Sequence, residues 1–118
     1  MTAASLASYL GLWRYNVTTE DSIQVGIAEA LRREGFVFER EYRLSAHDRL
    51  DFFVGGRVAI EVKRHGSVNE LLRQLSRYAE HDTVHELLVV TARSQLSSLP
   101  RELHGKPLEC LTLLRSFF

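Results

Sequence analysis

The run Asp48-Arg49-Leu50-Asp51-Phe52-Phe53-Val54-Gly55-Gly56-Arg57-Val58-Ala59-Ile60-Glu61-Val62-Lys63 reads as two short strands folded back on each other at a pair of glycines. Side chains alternate along a strand, so Ala59, Glu61 and Lys63 share one face and Val58, Ile60 and Val62 the other. A two-residue loop would pair Val54 with Arg57 and send Asp51 and Glu61 to opposite faces. A three-residue loop, Gly55-Gly56-Arg57, pairs Val54 with Val58 and sets Asp51 across from Glu61. The glycines supply the positive φ that such a bulged turn needs. The three-residue register is expected, because only that register brings the two acids together.

Two carboxylates about 5 Å apart across a strand pair repel unless one is protonated or a cation sits between them. An oxygen-only donor set favours a hard ion, Mg²⁺ or Mn²⁺. Lys63 is one of only two lysines in the chain, the other being Lys106. Two residues along from Glu61, its ammonium sits where it can orient a water or stabilise a pentavalent phosphate.

Outward from this run, the chain reads as further regular elements. Thr18 or Thr19 can cap a helix that begins with Glu20 and Asp21 and stops at Gly35. Ile23, Ile27, Ala30 and Leu31 fall on its inner face, and Gln24 also points inward, with Glu20 beside it. Phe36 to Leu44 alternates as a strand, with Phe36, Phe38 and Arg40 on one side and Val37, Glu39 and Glu41 on the other. Downstream, Ser67-Val68-Asn69-Glu70 fits a capping box. It opens a helix with Val68, Leu71, Leu72, Leu75 and Ala79 as its buried stripe. Glu86 to Thr91 is apolar enough to be a strand buried on both faces. Residues 94–107 read as a turn-rich connection holding a short helix, and Leu108 to Leu114 as a last strand. A strand reached through a long helix implies a crossover, hence an α/β domain with a mixed sheet.

At 118 residues the chain is the size of one domain, taken as residues 18–118, preceded by an arm or short helix over residues 1–17. Fifteen basic and fifteen acidic residues sum to a net charge of +0. That excludes a protein coating nucleic acid by bulk attraction, but not a local basic stripe. A single cysteine, Cys110, forms no internal disulfide and founds no zinc site; a buried, inert thiol is expected. The five histidines show no ligand spacing. The N-terminal apolar stretch is too short to span a bilayer, so a cytoplasmic protein without membrane contact is expected.

Asp51, followed on the next strand by Glu61-Val62-Lys63, resembles the PD-(D/E)XK nuclease superfamily. The element order over Thr19 to Thr91 is similar to that family's restriction-endonuclease-like α-β-β-β-α-β core. The resemblance implies metal binding by Asp51 and Glu61 and activation of the attacking water by Lys63. Gln74 and Tyr78, a Gln-x-x-x-Tyr on the second long helix, resemble a motif of RecB-like exonucleases, and both fall at one edge of the buried stripe. Relatives such as archaeal Holliday-junction resolvases carry a Glu where this chain has Gln24. A neutral amide is a weaker metal ligand, and Glu20 can substitute.

Arg49, Arg64, His65, Arg73 and Arg77 are candidates for holding backbone phosphates. The resemblance implies a Mg²⁺- or Mn²⁺-dependent deoxyribonuclease with no organic cofactor. It points to an endonuclease of phage, mobile-element or repair type, working on DNA as a homodimer when two strands are cut. Two rivals stand beside it. One is a catalytically silent DNA-binding or protein-interaction module on the same fold. The other is an antitoxin-like or structural subunit, supported only by the balanced charge.

Overall fold

A computed structural model describes residues 1–92 and 98–113. In chain order the elements are α1 (Ala3–Leu10), α2 (Glu20–Glu34), β1 (Phe38–Arg43), β2 (Arg49–Val54), β3 (Val58–Lys63), α3 (Val68–Ala79), β4 (Glu86–Thr91), β5 (Glu102–Leu103) and β6 (Lys106–Thr112). The turn between β2 and β3 has the three-residue form. Gly55 and Gly56 both take φ of 61°, the Arg57 N–H closes onto the Val54 carbonyl at 3.0 Å, and Val54 pairs with Val58.

The sheet is mixed, in the order β1-β2-β3-β4-β6-β5. β1, β2 and β3 form an antiparallel meander; α3 then carries the chain across, so that β4 runs parallel to β3. β6 lies parallel to β4 on its other side. With a neighbour on each side and helices on both faces, all six β4 residues are buried, which accounts for that strand's unbroken apolar run.

Two cores flank the sheet. On one face α1 and α2 bring Leu6, Leu10, Ile23, Ile27 and Leu31 onto Phe52, Val58, Ile60 and Val62. On the other, α3 brings Leu71, Leu75, Tyr78 and Ala79 onto Leu50, Phe53, Ala59 and Leu87. The caps follow the sequence. Thr19 accepts from the Ser22 amide at the head of α2, whose acidic first turn suits the helix dipole, and Gly35 ends the helix in the left-handed conformation. At α3 the Ser67 hydroxyl accepts from the Glu70 amide at 3.0 Å, the Ser67 half of the expected box.

Several expectations are corrected. Residues 1–17 take the short-helix alternative of the two expected, and Ala3, Leu6 and Leu10 of α1 have no exposed surface. Residues 94–97 of the expected connection lie outside the described residues; Ser98, which follows them, is in a 3₁₀ turn, and Glu102 to Pro107 forms a hairpin. Leu103 pairs with Lys106 across a two-residue turn in which His104 and Gly105 have φ of 51° and 76°. That is the positive-φ pattern of a tight hairpin turn, which His-Gly announces less strongly than Asn-Gly. The last strand begins at Lys106, and Leu114 lies outside the described residues. Cys110 is half-buried, its thiol pushed up by burial.

The alternation expected in β1 holds through Arg40 and then breaks. Phe38 belongs to the α1/α2 core, whereas Tyr42, of the same parity, belongs to the α3 core. Between them Glu41 takes φ of 50°, an uncommon conformation for a residue with a side chain. β2 changes faces at the same level, Leu50 packing with α3 and Phe52 with α2. The residue between them is Asp51, opposite Glu41 in a register fixed by the Arg40–Phe52 and Tyr42–Leu50 pairs.

Candidate active site

Beyond the Phe52–Ile60 pair the β2–β3 ladder stops. The Asp51 carboxylate takes over there, its Oδ2 accepting from the Val62 N–H at 2.8 Å. The backbone donor of β3 thereby fixes the acid beside Glu61. Glu61, only 7% exposed, lies on the α3 side of β3, as its alternation with Ile60 and Val62 requires.

Tyr78 closes the site from below. Expected at the edge of the helix stripe, it is only 1% exposed, in one core with Leu50 and Phe53 of β2, Ala59 of β3 and Leu87 and Val89 of β4. Its hydroxyl accepts from Gln74 Nε2 at 2.8 Å. Its single proton is shared between the Arg49 carbonyl at 3.0 Å and Glu61 Oε1 at 3.3 Å. The Gln-x-x-x-Tyr pair therefore spans one helical turn and ends on the acid.

The electrostatics are those of too much negative charge in too little water. Burial, then the Asp51 charge, push Glu61 up to about 9 against the relief given by Lys63 and Tyr78. Asp51 is also raised, chiefly by burial and in part by Glu20, while hydrogen bonds from Val62 and Glu61 and the charge of Lys63 pull the other way. The two acids titrate as a coupled unit, the charge of each raising the cost of ionising the other. Burial, then the charges of Glu61 and Asp51, also raise Tyr78.

Glu20 contributes from the start of α2. Its Oε2 accepts from the Arg64 amide at 2.8 Å, just past β3, and its charge raises both acids. Gln24, one helical turn later, is not brought to the acid pair in the same way: its Oε1 accepts from Arg40 Nη2 at 3.2 Å. Lys63 lies against Gly66, where an added Cβ would stand 3.4 Å from Lys63 Cε and where φ is 101°.

The expected phosphate-holding residues are scattered in role. Arg77 Nε donates to Asp48 Oδ1 at 3.0 Å. Arg64 Nε donates to the Val17 carbonyl at 2.6 Å, and its Nη1 meets His65 Nε2 at 2.8 Å. Arg49 and Arg73 are exposed. Sequence reasoning missed Asp48, a buried carboxylate at the head of β2. Burial opposes its ionisation, but Arg77 and His81 prevail and hold it below the usual carboxylate range. Nothing local signals this, since its partners stand 29 and 33 residues downstream.

A dication fits this donor set. Asp51 and Glu61 offer oxygen ligands whose repulsion it would relieve, and Mg²⁺ is commonly held by one or two carboxylates, with waters and substrate oxygens completing its shell. Among the described residues no three of His, Cys, Asp and Glu are grouped so as to hold a metal ion by themselves. Also among the described residues, no helix is long and apolar enough to cross a membrane. No protein-family model, curated protein or solved structure matches the chain.

Proposed function

We propose that the chain is a divalent-metal-dependent deoxyribonuclease with the restriction-endonuclease-like α-β-β-β-α-β core, Asp51 and Glu61 holding Mg²⁺ or Mn²⁺. The observation that carries this reading is the broken β2–β3 ladder, where Asp51 is fixed by the Val62 N–H beside a buried, charge-strained Glu61. A purely structural strand pair gains nothing from burying one acid and setting a second, half-buried one beside it with so few donors.

Each side chain has a part. Val62 N–H and the Tyr78 hydroxyl hold the two carboxylates in place, and Gln74 fixes the hydroxyl in turn. The ion, when bound, supplies Lewis acidity toward a phosphoryl oxygen and acidifies a water. Lys63 places an ammonium by the acids, where it orients the attacking water and offsets negative charge developing on phosphorus. Glu20 adds a third negative group at the rim, favouring retention of the cation. One site cuts one strand, so a double-strand break takes two copies.

The test is digestion of covalently closed and linear DNA with Mg²⁺, Mn²⁺ or EDTA. The expected result is metal-dependent cutting of the closed circle, reduced at least ~100-fold by Lys63→Ala, in line with the loss of a positioned charge or acid–base group. Metal-independent cutting, or equal activity in the Lys63→Ala protein, sinks the assignment.

A further inference from the structure

Arg40 is anchored by two groups far from it in sequence. Its Nη2 donates to Gln24 Oε1 at 3.2 Å, and its guanidinium carbon stands 5.4 Å from the centroid of the Phe52 ring. Each anchor is close along the chain to a group of the acid site. Phe52 is the cross-strand partner of Arg40 and the chain neighbour of Asp51. Gln24 lies one helical turn beyond Glu20, whose charge acts on both Asp51 and Glu61.

An exposed arginine normally samples many rotamers, and ordering it costs up to ~2 kcal/mol. Here an amide and an aromatic face have already ordered it, so a ligand meets a fixed fork. The guanidinium carries five N–H donors, and the Gln24 bond uses only one of them. Arg40 is exposed, and among the described residues no carboxylate forms a salt bridge with it. The neutrality of Gln24 matters. A glutamate at that position would ion-pair with Arg40 and cancel its charge, whereas the amide holds the guanidinium and leaves it fully cationic.

We propose that Arg40, held by Gln24 and Phe52, binds a backbone phosphate of the DNA next to the acid pair. Gln24 is then a positioning residue for an arginine, in place of a metal ligand. This rests on the nuclease reading and adds to it a contact that Arg77, engaged by Asp48, and Arg64, engaged by the Val17 carbonyl, supply less well.

The experiment uses full-length protein carrying Glu61→Gln, so that DNA stays intact, in EDTA, with a fluorescein-labelled duplex followed by anisotropy across a salt series. Circular dichroism confirms folding of each variant. Arg40→Ala should weaken binding ~5-fold or more and reduce the slope of log K against log[salt] by about 0.9, the value of one lost phosphate contact. Gln24→Glu should reproduce that loss of slope, while Gln24→Ala should lower affinity and keep the slope. In the Glu61 background with Mg²⁺, Arg40→Ala should raise KM and leave kcat near its parent value. An unchanged affinity and slope in Arg40→Ala, or a Gln24→Glu protein indistinguishable from Gln24→Ala, overturns the assignment of Arg40 while cleavage by the parent protein stands. Absence of any DNA binding by the Arg40-intact protein overturns both.

Discussion

Glu61 is the residue on which stability and chemistry pull in opposite directions. Its carboxyl rises from 4.5 unfolded to about 9 in the folded, metal-free protein, so folding favours the protonated form. The stability tied to that proton is complete below pH ~4.5 and is lost as pH climbs through the folded value. Glu61→Gln keeps the shape and removes the ionisation. In EDTA at pH 8 it should melt at least ~4 °C above the parent, about what one kcal/mol is worth in a domain this small, and at pH 4 the difference should vanish. Differential scanning fluorimetry at the two pH values reads this directly; a variant less stable at pH 8 would contradict the desolvation account. Arg40 shows the complement. Its position on β1 was legible, but what holds it was not, because Gln24 and Phe52 come to it only once helix and sheet have packed.

Among the elements, β1 and β2 are distinctive for changing faces together at Glu41 and Asp51. A non-glycine residue at positive φ costs on the order of 1 kcal/mol or more, and Glu41 bears that strain opposite the acid it helps to place. Glu41→Gly should therefore raise stability by about 0.5–1 kcal/mol in urea titrations with Mn²⁺ affinity unchanged. Glu41→Val, β-branched and unsuited to that conformation, should lower both stability and Mn²⁺ affinity. Elsewhere, Gly26 faces Tyr15 so closely that an added Cβ would stand 2.7 Å from Tyr15 Cδ1. Gly26→Ala should cost about 1–3 kcal/mol despite its better helix propensity, because the ring must move, and urea melts would show it. The hairpin was readable because the glycines mark the turn, only the three-residue register unites the two acids, and period two then fixes every side chain. The inversion at Glu41 was not, since strand alternation assumes a flat strand and the twist arises from packing on two different helices. Tyr78 was misplaced for a related reason: a helical wheel gives an angle, not how deeply the neighbouring strand lets a ring enter.

For the molecule as a whole, α1 is part of the core and is bolted to the far end of the sheet. Buried Glu86 accepts from the Ala3 amide at 2.9 Å and from Arg57 at 2.8 Å, and Arg57 also reaches the Met1 carbonyl at 3.2 Å. Leu6, fully enclosed, is its main apolar anchor, and Leu6→Ala should cost about 2–5 kcal/mol in chemical denaturation. The sequence left this segment undecided because its short apolar stretch fits a loose arm as well as a helix. The proposed function requires the acid pair, set on a sheet covered by helices on both faces, to bind a divalent ion. Isothermal titration calorimetry of Mn²⁺ at pH 7, repeated in buffers of different ionisation enthalpy, tests that claim most directly. One saturable Mn²⁺ per chain is expected, with release of about one proton as Glu61 ionises, and binding should disappear in Asp51→Asn. Saturable binding that persists in Asp51→Asn, or no binding by the parent, would contradict the assignment of this pair as a metal site.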